Sequence, residues 1–244
     1  MQRHLATLAL LLIAGGVHAR DFSCDVDSDY DLTLNDTSVI LTRDAGTPKW
    51  IVIRGDRLFV DDRWVQLSPE DRKRIGTFAA TTRQAMPLAS AIGRDAAEIA
   101  FTALGEVAAG FSQDPSRTRA RLDKARAQID AKLARSVSAN RFDGDDLGDA
   151  IGETVGEVLP SLIGDIVSGA VSAAFSGDTA RLQAMEGLDK KIEAQVEPRA
   201  RALEKNAEQL CTHMLALDEV DNALAYRLPD GSPLDMLEAK RTSR

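Results

Sequence analysis

Histidine and cysteine are scarce in this chain of 244 residues, with three of the first and two of the second. That leaves almost no material for a transition-metal centre, whose ligands are mostly imidazole and thiolate. Aromatic residues make up only 5% of the chain, which disfavours an aromatic-rich β-sandwich and favours closely packed helices. There is no basic excess either. A formal net charge of -8 excludes the ordinary nucleic-acid binder, which neutralises phosphates with lysine and arginine. The chain also lacks G-x-S-x-G, H-E-x-x-H, G-x-x-x-x-G-K-[ST] and G-x-G-x-x-G. No cofactor is expected, and no catalytic residue can be named from a motif.

The N-terminus is the most interpretable stretch. Arg3 precedes the apolar run Leu5 to Val17, which falls short of the ~20 residues that span a bilayer. Val17-His18-Ala19 then places small residues third and first before a cut. The pattern predicts a signal peptide over 1–19, cleaved after Ala19, and a periplasmic location. His213 is the one histidine that follows the cut.

In an oxidising compartment an even cysteine count reads first as a disulfide, and Cys24 with Cys211 is the one intramolecular pairing available. The competing reading makes Cys211 a nucleophile assisted by His213, but positions i and i+2 face different sides of a helix.

Residues 20–67 read as an antiparallel β-meander, with β-branched and aromatic runs such as Trp50-Ile51-Val52-Ile53 between Gly and Asp turns. Helices are predicted over the rest, to residue 228, packed on that sheet as one α+β domain. Ser68-Pro69-Glu70-Asp71 opens the first with a cap, a proline and a capping-box acid. Asp114-Pro115 opens a basic helix over 115–138, with an apolar stripe of Leu122, Ala125, Ile129, Leu133 and Val137. Asn140 to Asp146 reads as a polar loop, and a Gly-rich helix covers about 146–175. Residues 229–244 read as a turn and a frayed basic tail.

The order of these parts resembles the YggN-like family, uncharacterised bacterial periplasmic proteins grouped as a domain of unknown function. The resemblance rests on Cys24-Asp25-Val26, on Leu58-Phe59-Val60-Asp61 with Val65-Gln66-Leu67-Ser68, and on Arg201-Ala202-Leu203-Glu204 leading to Leu210-Cys211 and Leu217-Asp218. It implies a gammaproteobacterial-type envelope protein and carries over no catalytic residue.

Four constellations remain. Leu203, Leu210, Leu217 and Leu224 recur every seven residues with Met214 between them, a coiled-coil-like seam. This is the candidate docking surface for an envelope protein or a second copy. Gly148, Gly152, Gly156 and Gly164 form a small-residue ladder at four-residue spacing, the pattern of tight helix packing. The ladder helix 148–176 and the basic helix also suggest membrane contact, which is disfavoured by Asp165 and Pro160 within the apolar stretch. Asp25, Asp27 and Asp29 alternate along one strand face and are a weak calcium candidate, lacking the glycine that an EF-hand turn needs at Tyr30. A hydrolase using paired carboxylates requires a cleft holding two buried acids. Acidic Asp146, Asp149, Glu153 and Glu157 are expected to offset the basic helix.

Overall fold

A computed structural model describes residues 22–138, 140–176 and 187–243. The expected signal peptide lies outside them. The fold is α+β. Five short strands, β2 (Asp31–Leu34), β3 (Val39–Thr42), β4 (Trp50–Arg54), β5 (Arg57–Val60) and β6 (Arg63–Trp64), form an antiparallel meander as the sequence suggested. Alternation sets their faces: Val39, Ile51, Ile53, Leu58 and Val60 are buried, and Trp50 and Trp64 look outward. Two further strands, β7 (Val137–Ser138) and β8 (Arg141–Asp143), add to the edge beside β2, giving the order β6-β5-β4-β3-β2-β8-β7. The segment expected as a polar loop therefore contains a sheet strand.

Among the described residues four helices complete the body: α1 (Pro69–Phe111), α2 (Pro115–Ser136), α3 (Gly144–Ser176) and α4 (Leu188–Asn222). Ser68 caps α1 by accepting from the Asp71 amide at 3.0 Å. Asp71 does not complete the capping box. Its buried carboxylate accepts from the Ala225 and Tyr226 amides, both at 3.1 Å, and from Arg74 at 2.8 Å. The chain just beyond α4 has backbone donors with no helical partner, and Asp71 satisfies them. Asp114 caps α2 through the Arg117 amide at 3.0 Å.

The sheet, the first half of α1 and the end of α4 share one core, centred on Leu34, Ile51, Ile53, Leu58, Ile75, Phe78, Leu217 and Met236. A second core joins α1, α2 and α3 through Phe101, Ala108, Leu122, Ile129, Leu133 and Leu162. All five residues of the predicted α2 stripe are buried.

Two expectations about the ends need correction. Strand β1 (Phe22–Asp27) does not join the meander, and the basic tail is not frayed: Glu238–Ser243 is a strand, β9, paired antiparallel with β1. Asp25 stands opposite Lys240 and Cys24 opposite Arg241, so an acidic strand finds a basic one. This ribbon is tied to α4 by a disulfide between Cys24 and Cys211, with Cα atoms 5.9 Å apart.

Candidate interaction surface

The heptad seam of α4 is not a free surface. Leu203, Leu217 and Leu224 are buried, and Leu210 and Met214 pack, partly buried, against the sheet-side core. Periodicity identified a seam correctly, but α4 lies along α1, and its apolar face is spent there and on the sheet. Cys211 is in the bridge, so it carries no free thiol to pair with His213.

The glycine ladder is corrected in a similar way. Around Gly152, Gly156 and Gly164 nothing stands within 4 Å of where a Cβ would be, and all three are exposed. The surroundings of Gly148 lie outside the described residues. The close approach of helix backbones happens at Gly169 instead, where a Cβ would overlap the carbonyl of Phe111 and come within 3.2 Å of the Gln113 amide. Gly169 is off the four-residue ladder, which is why spacing alone missed it. These two environments predict opposite outcomes. Gly152→Ala is expected to stabilise the fold by about 0.5–1 kcal/mol, since helical glycine is entropically costly. Gly169→Ala is expected to destabilise it by about 1–3 kcal/mol through backbone overlap. Urea unfolding of the two variants checks both signs.

The side of α3 opposite Gly169 and Leu162 is the unusual surface of the molecule. Ile163, Val167, Val171 and Phe175 recur every fourth residue on it and are 56%, 55%, 49% and 89% exposed. Exposed Gly156 and Pro160 precede them on the same face and exposed Gly164 follows Ile163, so the face is apolar and low in relief. Glu153 and Glu157 are exposed at its N-terminal end. The signal was present in the sequence, but apolar residues surround this helix so evenly that spacing did not say which of them face water.

The basic helix meets other acids than those expected. Arg121 pairs with Asp165 at 3.0 Å, and Glu98 of α1 takes both Arg126 at 3.3 Å and Arg199 at 3.4 Å. The side chains of Asp146 and Asp149 lie outside the described residues. No helix among the described residues is long and apolar enough to cross a membrane.

The acidic strand has local partners. Asp25 accepts from Ser23 at 3.3 Å and Thr242 at 3.2 Å, and Asp29 pairs with Arg43 at 3.4 Å. Among the described residues no group of three His, Cys, Asp or Glu side chains has a metal-holding arrangement, so Asp25, Asp27 and Asp29 do not converge. A cavity of about 280 Å³ does open beside them, lined by Asp27, Asp29, Arg43, Asp235 and Glu238 among others. Burial, with Glu238 and Asp218 nearby, holds the Asp235 carboxyl above the usual range. The buried carboxylates of Asp71 and Asp221 do not line this cavity. Asp221 accepts from the Met236 amide at 2.7 Å and the Leu237 amide at 3.4 Å, which makes it a clamp on the approach to β9. Both buried acids accept from backbone amides, Asp71 from Ala225 and Tyr226 and Asp221 from Met236 and Leu237.

A family model described as a protein of unknown function (DUF2884) matches residues 24–237, from the bridged Cys24 to the residue before β9. No curated protein and no solved structure matches the chain.

Proposed function

The chain belongs to the DUF2884 family, and on that premise we propose that it is an exported, non-enzymatic envelope protein that docks another macromolecule on the outward face of α3. The observation that carries this reading is the row Ile163, Val167, Val171 and Phe175, large apolar side chains left in water on one helix face. Contiguous exposed apolar patches on small proteins mark interaction sites far more often than single exposed residues do. Export is supported by the bridge between Cys24 and Cys211, a bond rare in reducing compartments, and by the signal-like N-terminus. The resemblance to the YggN-like periplasmic proteins points the same way.

A photo-crosslinking amino acid at Val167, activated in intact cells, is expected to give a discrete higher-mass adduct identifiable by mass spectrometry. The same probe at exposed Gln209, on α4, is expected to give none. Equal labelling at both positions, or none at Val167, would overturn the reading.

A further inference from the structure

We propose that residues 235–243 form a pH-sensitive strap, latched to the end of α4 in acid and opening from it, with β9, as Asp221 ionises. The chain beyond α4 is tied back to the body at two points, and a buried carboxylate holds each. Asp71 takes the amides of Ala225 and Tyr226, and Arg74 answers its charge at 2.8 Å. Asp221 takes the amides of Met236 and Leu237 with Oδ2, at 2.7 and 3.4 Å. Its Oδ1 is buried with no partner, and among the described residues no cation pairs with it. The two clamps match in their backbone bonds and differ in compensation. Only the second carries an uncompensated buried charge when ionised.

The surroundings add negative charge. Asp218, about one turn earlier on α4, and Asp235, on the strap, both act on Asp221. Asp27 of β1 stands directly opposite Glu238 of β9, and Asp29 lies close enough to act on Asp235. The cations here are engaged elsewhere. Arg43, just after β3, pairs with Asp29 at 3.4 Å and donates to the Pro48 carbonyl at 2.7 Å. Lys240 pairs with Glu238 at 2.5 Å and lies within the field of Asp218. Arg74 of α1 is spent on Asp71. Burial first, then the carboxylates of Asp235 and Asp218, raise the Asp221 pKa from 3.8 to about 6. With the strap open the group meets water and returns towards 3.8. Protonation therefore favours the closed strap, fully below 3.8, and that advantage is lost as pH rises through 6. The opening constant should rise about tenfold between pH 5 and pH 8.

β9 is the strand that leaves. The disulfide from Cys24 to Cys211 keeps β1 on α4, whereas β9 has no crosslink and pairs with β1 alone. Two-stranded ribbons are marginal, so a modest change at the clamp is enough to shift it. Opening removes Asp235–Glu238 from the wall of the cavity beside Arg43 and bares the edge of β1 that β9 covers.

Hydrogen exchange on the oxidised protein tests this, read as protection factors so that the intrinsic pH dependence of exchange divides out. Amides of β9 should be about tenfold better protected at pH 5 than at pH 8. Low urea should leave β9 exchange unchanged, because a local opening exposes little surface, while exchange through global unfolding rises steeply with urea. Asp221→Asn should abolish the pH dependence. Asp218→Asn keeps an acceptor for the Asn222 amide group and should move the midpoint to lower pH. Equal β9 protection at the two pH values, or a pH dependence that survives Asp221→Asn, overturns the proposal. An unmoved midpoint in Asp218→Asn counts against it equally. β9 exchange that tracks β3 and β4 and accelerates with urea also overturns it, since the event would then be global.

Discussion

Replacing Cys24 and Cys211 by serine, or reducing their bridge, is expected to lower unfolding stability by about 2–5 kcal/mol. The bond joins residues 187 positions apart, so opening it releases nearly the whole chain from a closed loop. Chain entropy sets a ceiling of roughly 5 kcal/mol for a loop of this size. The native side of the balance shows where the loss will be felt. β1 and β9 form a ribbon of two strands that is separate from the main sheet, and such ribbons are marginal on their own. The ribbon is held by the bridge to α4, by Ser28 donating to the Met236 carbonyl at 2.7 Å, and by Asp221 on the amides of Met236 and Leu237. Without the bridge, amides of β1 and β9 should exchange with solvent well before those of β3 and β4. Denaturant midpoints with and without reductant, together with hydrogen exchange, measure both effects. In denatured, unreduced protein, maleimide should find no thiol. An unchanged midpoint on reduction would refute the expected stabilisation.

The ribbon also shows what a sequence conceals. Ser68, Asp114 and the α2 stripe were legible because caps and helical periodicity are local; both caps are found where their patterns put them and the stripe is buried, with its last member, Val137, in β7 just past the helix end. Strand β9 was not legible. Glu238–Ser243 is short and largely polar, and it is a strand because β1, at the other end of the chain, supplies its hydrogen bonds and opposing charges. β8 has only three residues and a similar dependence on β2. For α4 the pattern found the seam and could not say what it meets, since a core and a partner ask for the same residues. For α3 the reverse applied. Residues 158–175 carry eight Val, Leu, Ile or Phe side chains, and only the positions of α1 and α2 decide which of them are covered. Asp71 presents the same limit in one residue: its place in the first turn suggested a local cap, and its burial beside residues 225 and 226 gave it a long-range one.

Asp221 is expected to make the protein more stable as the solution is acidified from pH 8 towards pH 4, against the usual trend for paired carboxylates. The carboxyl is buried, and that burial, with Asp235 and Asp218 nearby, outweighs the Met236 and Leu237 amides and raises its pKa from 3.8 to about 6. Its Oδ1 has no hydrogen-bond partner, so one buried oxygen carries charge without compensation at neutral pH. The native state therefore takes up a proton at a higher pH than the unfolded chain does. Above pH 6 the acid is ionised in both states and the burial cost is fully present. Between about 6 and 3.8 the native state is protonated first, and stability from this group rises as pH falls. One pKa unit is about 1.4 kcal/mol, so the full swing is on the order of 3 kcal/mol. Asp221→Asn keeps a carbonyl oxygen for the two amides and removes the charge, at the cost of a buried amide donor with no acceptor. At pH 8 its net gain should be about 1–2 kcal/mol. By pH 4 that gain should be lost, because the native aspartate is then itself neutral. Asp71→Ala has no such compensation, since it strands the Ala225 and Tyr226 amides at every pH. Urea unfolding of Asp221→Asn at pH 8 and pH 4 decides the matter: a variant less stable than the parent at pH 8 would mean that the ionised form is the one the fold prefers.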